Sequence, residues 1–309
     1  MKVQQNIMKG FRISKRENVR DNINRILSEQ IDYILEQSEK GEDEIHKSIH
    51  EIRKSIKRIR AVLRLIREEV GYSTYHRENV FYRDINRETS DLRTYNVLTL
   101  TLEELSSHLS AKIPAEDIEP LSRSIRDERD KLQSKLISRE NLLKNLSNEL
   151  REARKGIPDL PIEHEGFDVF YGGLFRIYGQ GKSYLKSSIK KTDSHHLHDM
   201  RKRMKYLWYH VEILRPIYPG PLKAYANSLE NISIRLGVYH DLDILVKYLQ
   251  KNEPVIKEQI HQNLLDACDF KKAALLPGIM RMSEAAYIDE PEAFVNRMGE
   301  YWKIFYRHA

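Results

Sequence analysis

The stretch IHEIRKSIKRIRAVLRLI, residues 49–66, places six Lys and Arg side chains and one histidine on a single predicted helix. Its opening pattern returns in the second half of the chain as LHDMRKRMKYLWYHVEIL, residues 197–214. An ungapped alignment pairs four basic residues of each copy: His50 with His198, Arg53 with Arg201, Lys54 with Lys202, and Lys57 with Lys205. A basic helix that occurs twice predicts an internal repeat.

Both copies have the periodicity of an amphipathic helix that buries one face. The apolar residues of each copy fall on one stripe: Ile49, Ile52, Ile56, Ile59, Leu63 and Ile66 in the first, and Leu197, Met200, Met204, Leu207, Val211 and Leu214 in the second. The adjoining face of the first copy is basic and consists of His50, Arg53, Lys57, Arg60 and Arg64. We expect the apolar stripes to lie in the core.

The basic face is mildly unfavourable in an isolated helix, because like charges three or four residues apart repel by a few tenths of a kcal/mol. Pairing with acidic residues of neighbouring helices would explain one such face. The same residue types at the same spacing in both halves favour a shared anionic ligand instead. Arg offers a two-point fork to phosphate, Lys a mobile charge and His an additional donor.

The composition is that of a helical protein. Among 309 residues, 32% are charged, with 13 Gly, 10 Pro and a formal net charge of +6. The single cysteine excludes an intrachain disulfide and a Cys-based zinc site. The N-terminal residues lack the apolar core of a signal peptide, and no stretch has the length and apolar character of a membrane span. We therefore expect a soluble, cytoplasmic protein with no membrane partner.

Breaker residues divide the chain near its middle. The segment KGIPDLPIEHEGFDVFYGG, residues 155–173, contains two prolines and four glycines, the strongest breaker signal of the sequence. We predict an all-α fold in which a first four-helix repeat spans residues 1–160 and a second spans residues 161–309, together forming one domain.

Helices are predicted from the apolar periodicity of each half. NVLTLTL, residues 96–102, is rich enough in Thr to resemble a strand locally, but helix flanks it on both sides. The last region is expected to break around Pro277 and Gly278. The predicted helices cover residues 15–38, 43–70, 75–109 and 115–154, and then 168–190, 194–217 and 222–250.

Four stretches together resemble the CHAD family, the conserved-histidine α-helical domain. They are HEIRKSIKRIR at 50–60, YGQGKSYL at 178–185, HDMRKRMKYL at 198–207 and GVYHDLDIL at 237–245. The resemblance spans most of residues 15–250. It implies two pseudo-symmetric four-helix bundles around a basic central cavity, and binding of inorganic polyphosphate, a linear polyanion.

The resemblance also implies a set of ligand contacts. With the rest of the basic face they are His50, Arg53, Lys54, Lys57, Arg60, Arg64, Arg93, Lys182, His198, Arg201, Lys202, Lys205 and His240. Three positions depart from the pattern: Thr94 replaces an expected Asp, Trp208 stands opposite Arg60, and Glu212 stands opposite Arg64. We therefore expect the first half to be the more cationic along its signature helix.

Three other readings compete with polyphosphate binding. A metal-dependent phosphohydrolase would draw its ligands from His195, His196, His198, Asp199, His240, Asp241 and Asp243, but Arg201 and Lys205 on the same face oppose a divalent cation. Nucleic acid is disfavoured because the tyrosines do not interleave with the basic face. A helical scaffold would leave the repeat unexplained.

The Glu-x-Glu-x-Lys strand of a fused triphosphatase domain is absent from the sequence. We predict a non-catalytic binding module without metal or cofactor. The oligomeric state, the preferred chain length, the role of the last fifty residues and association with polyphosphate granules stay open.

Overall fold

In the computed structural model, the described residues are 10–40, 45–88, 90–109, 113–137, 141–191, 193–252 and 255–307. Within them the chain forms eleven α-helices and no strand. They are α1 (Val19–Ser38), α2 (Ile45–Leu65), α3 (Arg67–Glu88), α4 (Ser90–Leu109), α5 (Ala115–Ile137), α6 (Asn141–Lys155), α7 (Asp168–Lys190), α8 (Ser194–Leu214), α9 (Pro219–Lys251), α10 (Glu258–Ala286) and α11 (Pro291–Arg307). The all-α prediction is confirmed, and residues 96–102 are helical within α4.

Two of the predicted long helices each consist of two consecutive helices, α3 with α4 and α5 with α6. The first signature helix, α2, ends at Leu65, five residues before its predicted end at residue 70. Gly71 lies inside α3 with a φ of 76°, a left-handed conformation that glycine adopts without strain. The chain therefore changes direction after the end of α2 and again at Gly71.

Side-chain caps fix the starts of two helices. The Asn18 side chain accepts a hydrogen bond from the Asp21 N–H at 2.7 Å, and Asp193 accepts one from the His196 N–H at 2.9 Å. Each cap pairs a backbone donor that the first helical turn leaves unpaired. The second cap sets the start of α8, the second signature helix.

The two signature helices, α2 and α8, pack directly against each other. Their apolar stripes are buried, as Ile56 and Met204 illustrate. His210 of α8 is fully buried, and its Nε2 lies 2.9 Å from the Ala61 carbonyl oxygen of α2. Burial lowers the pKa of His210 to about 3, so the neutral ring donates Nε2–H to that carbonyl.

Helix α7 approaches the end of α2 closely at Gly173. A Cβ at this position would lie 2.4 Å from the Arg64 carbonyl oxygen and 2.1 Å from that of Leu65. Only a residue without a side chain fits this approach. This contact places α7 beside both signature helices.

Three hydrophobic clusters hold the described helices together, and the two larger ones contain residues from each half of the chain. The largest extends from Phe11 to Trp302 and includes the second apolar stripe and, apart from Ile49, the first. The second largest joins α4 and α5 to the C-terminal part of α9 and the N-terminal part of α10, with Cys268 buried in it. The hydrophobic core is therefore shared by residues on both sides of the predicted boundary between the repeats.

The predicted break around Pro277 and Gly278 is wrong. Helix α10 runs through Pro277 to Ala286, and the chain turns after it at Tyr287. Proline removes one helical hydrogen bond, but Ile279 is fully buried one half-turn later. Its packing against the core stabilises the continued helix.

None of the helices in the described part of the chain combines the length and the apolar character needed to cross a membrane.

Candidate functional site

Lys57 of α2 lies among basic side chains from three helices. Burial lowers its pKa to about 7, and so do the positive charges of Arg93, Arg53, Arg201 and Lys205. These five residues, Arg53 and Lys57 of α2, Arg93 of α4, and Arg201 and Lys205 of α8, are called the basic cluster below. The tertiary structure thus brings together residues of both signature helices with the predicted Arg93.

Lys205 is the counterpart of Lys57 in the second half. Burial lowers its pKa to about 7, with Glu230 opposing and Arg201 reinforcing that effect. Its ammonium lies 3.7 Å from the centroid of the Trp208 ring, a cation–π contact. Trp208, which departs from the repeat, therefore binds a lysine of the basic cluster through its ring.

Arg201 lies alongside α9, where a Cβ on Gly237 would be 3.6 Å from its Nη2. Its Nε is buried and has no hydrogen-bond partner among the described residues. Burial lowers the pKa of Arg201, although the negative charge of Asp241 opposes that shift. The positive charge of the guanidinium is therefore only partly compensated by Asp241.

Arg53 has a structural role as well. Its side chain is buried, and Nη1 donates to the Asn86 carbonyl oxygen of α3 at 2.5 Å. Burial and the charge of Arg93 lower its pKa to about 10. The sequence placed Arg53 off the apolar stripe, but α3 covers it.

A cavity of about 570 Å³ lies beside the first half of the cluster, between α2, α4 and α5. His50 is exposed at this cavity. The partial burial of its ring is the main cause that lowers its pKa, and the positive charge of Lys54 is the second. The polar and charged residues of the cavity lining are Lys47, His50, Arg53, Arg93, Asn96, Thr99, Glu103 and Arg129. Lys47, Asn96, Thr99, Glu103 and Arg129 were not predicted, because only the arrangement of α2, α4 and α5 in space shows that they line one cavity.

The equivalent region of the second half is closed. The rings of His198 and His240 lie 4.5 Å apart. Burial first, and then the charges of His198 and Arg201, lower the pKa of His240 to about 4. The space beside these rings measures about 10 Å³, which is at the lower limit for one water molecule.

Arg60 and Arg64 lie at the end of the basic face that packs on α3. Both donate to Asn79 Oδ1, at 3.1 Å and 2.8 Å. The Arg64 guanidinium also lies 4.2 Å from the Tyr206 ring centroid. A tyrosine of α8 therefore does meet the basic face of α2, a contact between helices that a pattern along one helix does not show.

Three predicted lysines form ion pairs. Lys54 pairs with Glu51 at 2.9 Å, and Lys202 pairs with Asp199 at 2.8 Å. Lys182 pairs with Glu290 at 2.8 Å and donates to the Asp289 carbonyl oxygen. Lys182 is thus bound to the turn between α10 and α11.

The sequence-based selection missed Arg58. This residue is buried, and Nη1 donates to Gln30 Oε1 at 3.3 Å. Its charge contributes to lowering the pKa of Lys205. Arg58 lies outside the repeated positions, and only its burial between helices indicates its influence on the cluster.

The second half contributes less positive charge along its signature helix. Glu212, opposite Arg64 in the repeat, is buried and pairs with Arg12 and Arg215, each at 3.0 Å. The positive charges of both arginines therefore compensate the negative charge of Glu212.

Two of the three acidic residues of the metal hypothesis, Asp199 and Asp243, have cationic or hydroxyl partners. Asp199 pairs with Lys202, and Asp243 pairs with Lys247 at 2.8 Å and accepts from Ser194 at 2.7 Å. In the described ranges, no group of three or more His, Cys, Asp and Glu residues is arranged to hold a metal ion.

The family model of the CHAD domain matches residues 25–250. The chain belongs to the CHAD domain family. Among solved structures, the crystal structure of the CHAD domain from the plant Ricinus communis is similar, with a TM-score of 0.59 and 18% sequence identity. The match covers 89% of this chain and 93% of that chain. At this identity the likeness concerns the fold, and no curated protein matches the chain.

Proposed function

We propose that this CHAD domain binds inorganic polyphosphate without catalysis, through the basic cluster. The observation that carries the proposal is the environment of Lys57. The ammonium is largely buried, and the charges acting on it from Arg53, Arg93, Arg201 and Lys205 are all positive. Such a site is unfavourable until an anion compensates it.

Polyphosphate suits the cluster because each of its units carries negative charge and the chain has no bulky groups between phosphates. Arg53, Arg93 and Arg201 can each offer paired N–H donors to one phosphate, while Lys57 and Lys205 offer point charges. His50 lies at the neighbouring cavity and supplies a further donor when protonated.

The residues of the cluster are donors, which is what binding requires. Hydrolysis of a phosphoanhydride would also need an activated water, held by a metal ion or a positioned base. Two carboxylates near the cluster, Asp199 of α8 and Asp243 of α9, are engaged by lysines. This arrangement supports a binding module.

Calorimetric titration tests the proposal with long-chain polyphosphate, single-stranded DNA and inositol hexakisphosphate at matched ionic strength. We expect polyphosphate to bind most tightly, because only it presents adjacent phosphates without sugars or a ring. Its affinity should fall with salt with a logarithmic slope of about −0.7 per phosphate contact, by analogy with single strands. Equal affinity for the three ligands would indicate a generic basic surface and contradict the proposal.

A pair of variants tests the assignment to the cluster. Lys57→Met removes the central charge, and we expect it to weaken polyphosphate binding by about tenfold or more. Lys223→Met removes the same charge from an exposed position at the start of α9. Its effect should stay within about threefold, because distant surface charges are screened by salt. Similar losses in both variants would contradict the assignment.

A further inference from the structure

Asp241 is a carboxylate beside three cations of the basic cluster. It lies on α9 one turn after Gly237, beside which the Arg201 guanidinium is packed. The charges of Arg201, Arg93 and Lys57 all act on it. Yet Asp241 forms no ion pair or hydrogen bond with any described residue. The three cations and the carboxylate therefore face one another without direct contact.

A carboxylate in this position distinguishes two kinds of phosphate. An internal unit of a polyphosphate chain is fully ionised at neutral pH and has no proton, so a fixed carboxylate repels it. A terminal unit carries a second, weakly acidic hydroxyl group. That P–OH can donate a charge-assisted hydrogen bond to the carboxylate while the other oxygens accept from arginine and lysine.

The spaces lined by the neighbours of Asp241 differ in size. Arg93, whose charge acts on Asp241, lines the cavity of about 570 Å³ together with Arg53. His198 and His240, which precedes Asp241 on α9, line a space of only about 10 Å³. The larger space for a phosphate chain therefore lies on the side of Arg93.

We propose that the basic cluster binds the end of a phosphate chain, with Asp241 accepting a hydrogen bond from the terminal P–OH and the rest of the chain extending into the cavity at Arg93. This inference rests on the proposed function and specifies its ligand as a chain terminus. Burial raises the pKa of Asp241, although the three cations oppose the shift. A raised pKa favours a proton that the carboxylate shares with a terminal phosphate oxygen.

Competition calorimetry at neutral pH tests the inference with linear polyphosphate of one defined length, prepared with both ends free or with both ends esterified. We expect the esterified chain to bind wild-type protein about tenfold more weakly, because it lacks the P–OH donor. Phosphorus NMR provides a direct check, since terminal and internal units give separate resonances. The terminal resonance should shift first when protein is added.

Two variants separate recognition of the chain end from general electrostatics. Asp241→Asn exchanges the charged acceptor for a neutral amide, whose NH2 group can donate to any phosphate, and should reduce the preference for free ends to about twofold or less. Asp266→Asn makes the same charge change at an exposed position of α10 and should keep the wild-type preference. Equal binding of the two chains by wild-type protein would overturn the inference and leave the proposed function intact. Failure of both chains to bind would overturn the proposed function, and the inference with it.

Discussion

Lys57 and Lys205 hold their protons less firmly than exposed lysines do. Burial is the main cause for both, and Arg201 adds to it in each case. The positive charges of Arg53 and Arg93 also lower the pKa of Lys57. At Lys205, the negative charge of Glu230 raises the pKa, whereas the positive charge of Arg58 lowers it. Each pKa is about 7 in the ligand-free protein, so the charge of the cluster changes near neutral pH.

We expect polyphosphate affinity to decrease as the pH rises above about 7. A phosphate beside each ammonium raises its pKa, so binding above pH 7 requires proton uptake, whereas below pH 7 both lysines are already charged. Above pH 7, the proton uptake by each lysine lowers the affinity by up to about tenfold per pH unit. Calorimetry at pH 8 in two buffers of different ionisation enthalpy measures this uptake, which should approach about two protons.

The variant Lys57→Arg, Lys205→Arg is the matched control, because arginine stays protonated throughout this range. For a polyphosphate with esterified ends, which has no terminal P–OH to lose, the affinity of this variant should be nearly constant between pH 7 and 9. Wild-type binding without proton uptake would contradict the prediction. By the same linkage, the ligand-free protein should gain stability as the pH rises from about 7 toward 10.5, because the unfolded lysines bind more protons there than the native ones.

Helix α7 shows how one contact positions a whole element. Gly173 lets α7 approach the last carbonyl groups of α2, the helix that carries Arg53 and Lys57. Further along the same helix, a Cβ on Gly179 would lie 3.5 Å from Pro291, an ordinary contact. The two glycines therefore have different roles in one helix.

Gly173→Ala should destabilise the protein by about 1–3 kcal/mol, because its Cβ would overlap backbone atoms of α2 and force the helices apart. Gly179→Ala should have no cost and can stabilise α7 by up to about 1 kcal/mol, since alanine favours the helix. Urea unfolding of both variants measures the difference. Equal stability of the two variants would show that α7 does not need the close approach.

At the scale of the whole molecule, the repeat in the sequence does not correspond to two independent cores. The largest hydrophobic cluster contains the second apolar stripe and, apart from Ile49, the first, and His210 joins α8 to α2 by its bond to Ala61. The second largest cluster also combines elements from the two halves. Each half alone would leave large apolar surfaces exposed.

We expect residues 1–160 and 161–309, produced as separate chains, not to fold independently. Each would lose the burial that the other half provides, and that loss exceeds the marginal stability of a domain of this size. Thermal unfolding followed by circular dichroism would show no cooperative transition for either chain. A cooperative transition in one separate half would contradict this prediction.

Periodicity predicted the helices well because burial of an apolar stripe depends mainly on local spacing. Its errors come from contacts between helices. Pro277 was expected to break the chain, but packing of Ile279 maintains α10. Lys182 was selected by resemblance, and its pairing with Glu290 depends on how α7 meets the turn before α11.

The sequence by itself determined the all-α class, the two signature helices and the residue types of the basic cluster, because these follow from spacing along one chain. Only the tertiary structure decided which of those residues meet. It brought Arg93 to Lys57 and Arg201, covered Arg53 with α3, and set Asp241 among the cations. The physical reason is that burial and charge interactions, which set the properties of these groups, depend on helices that are distant in sequence and adjacent in space.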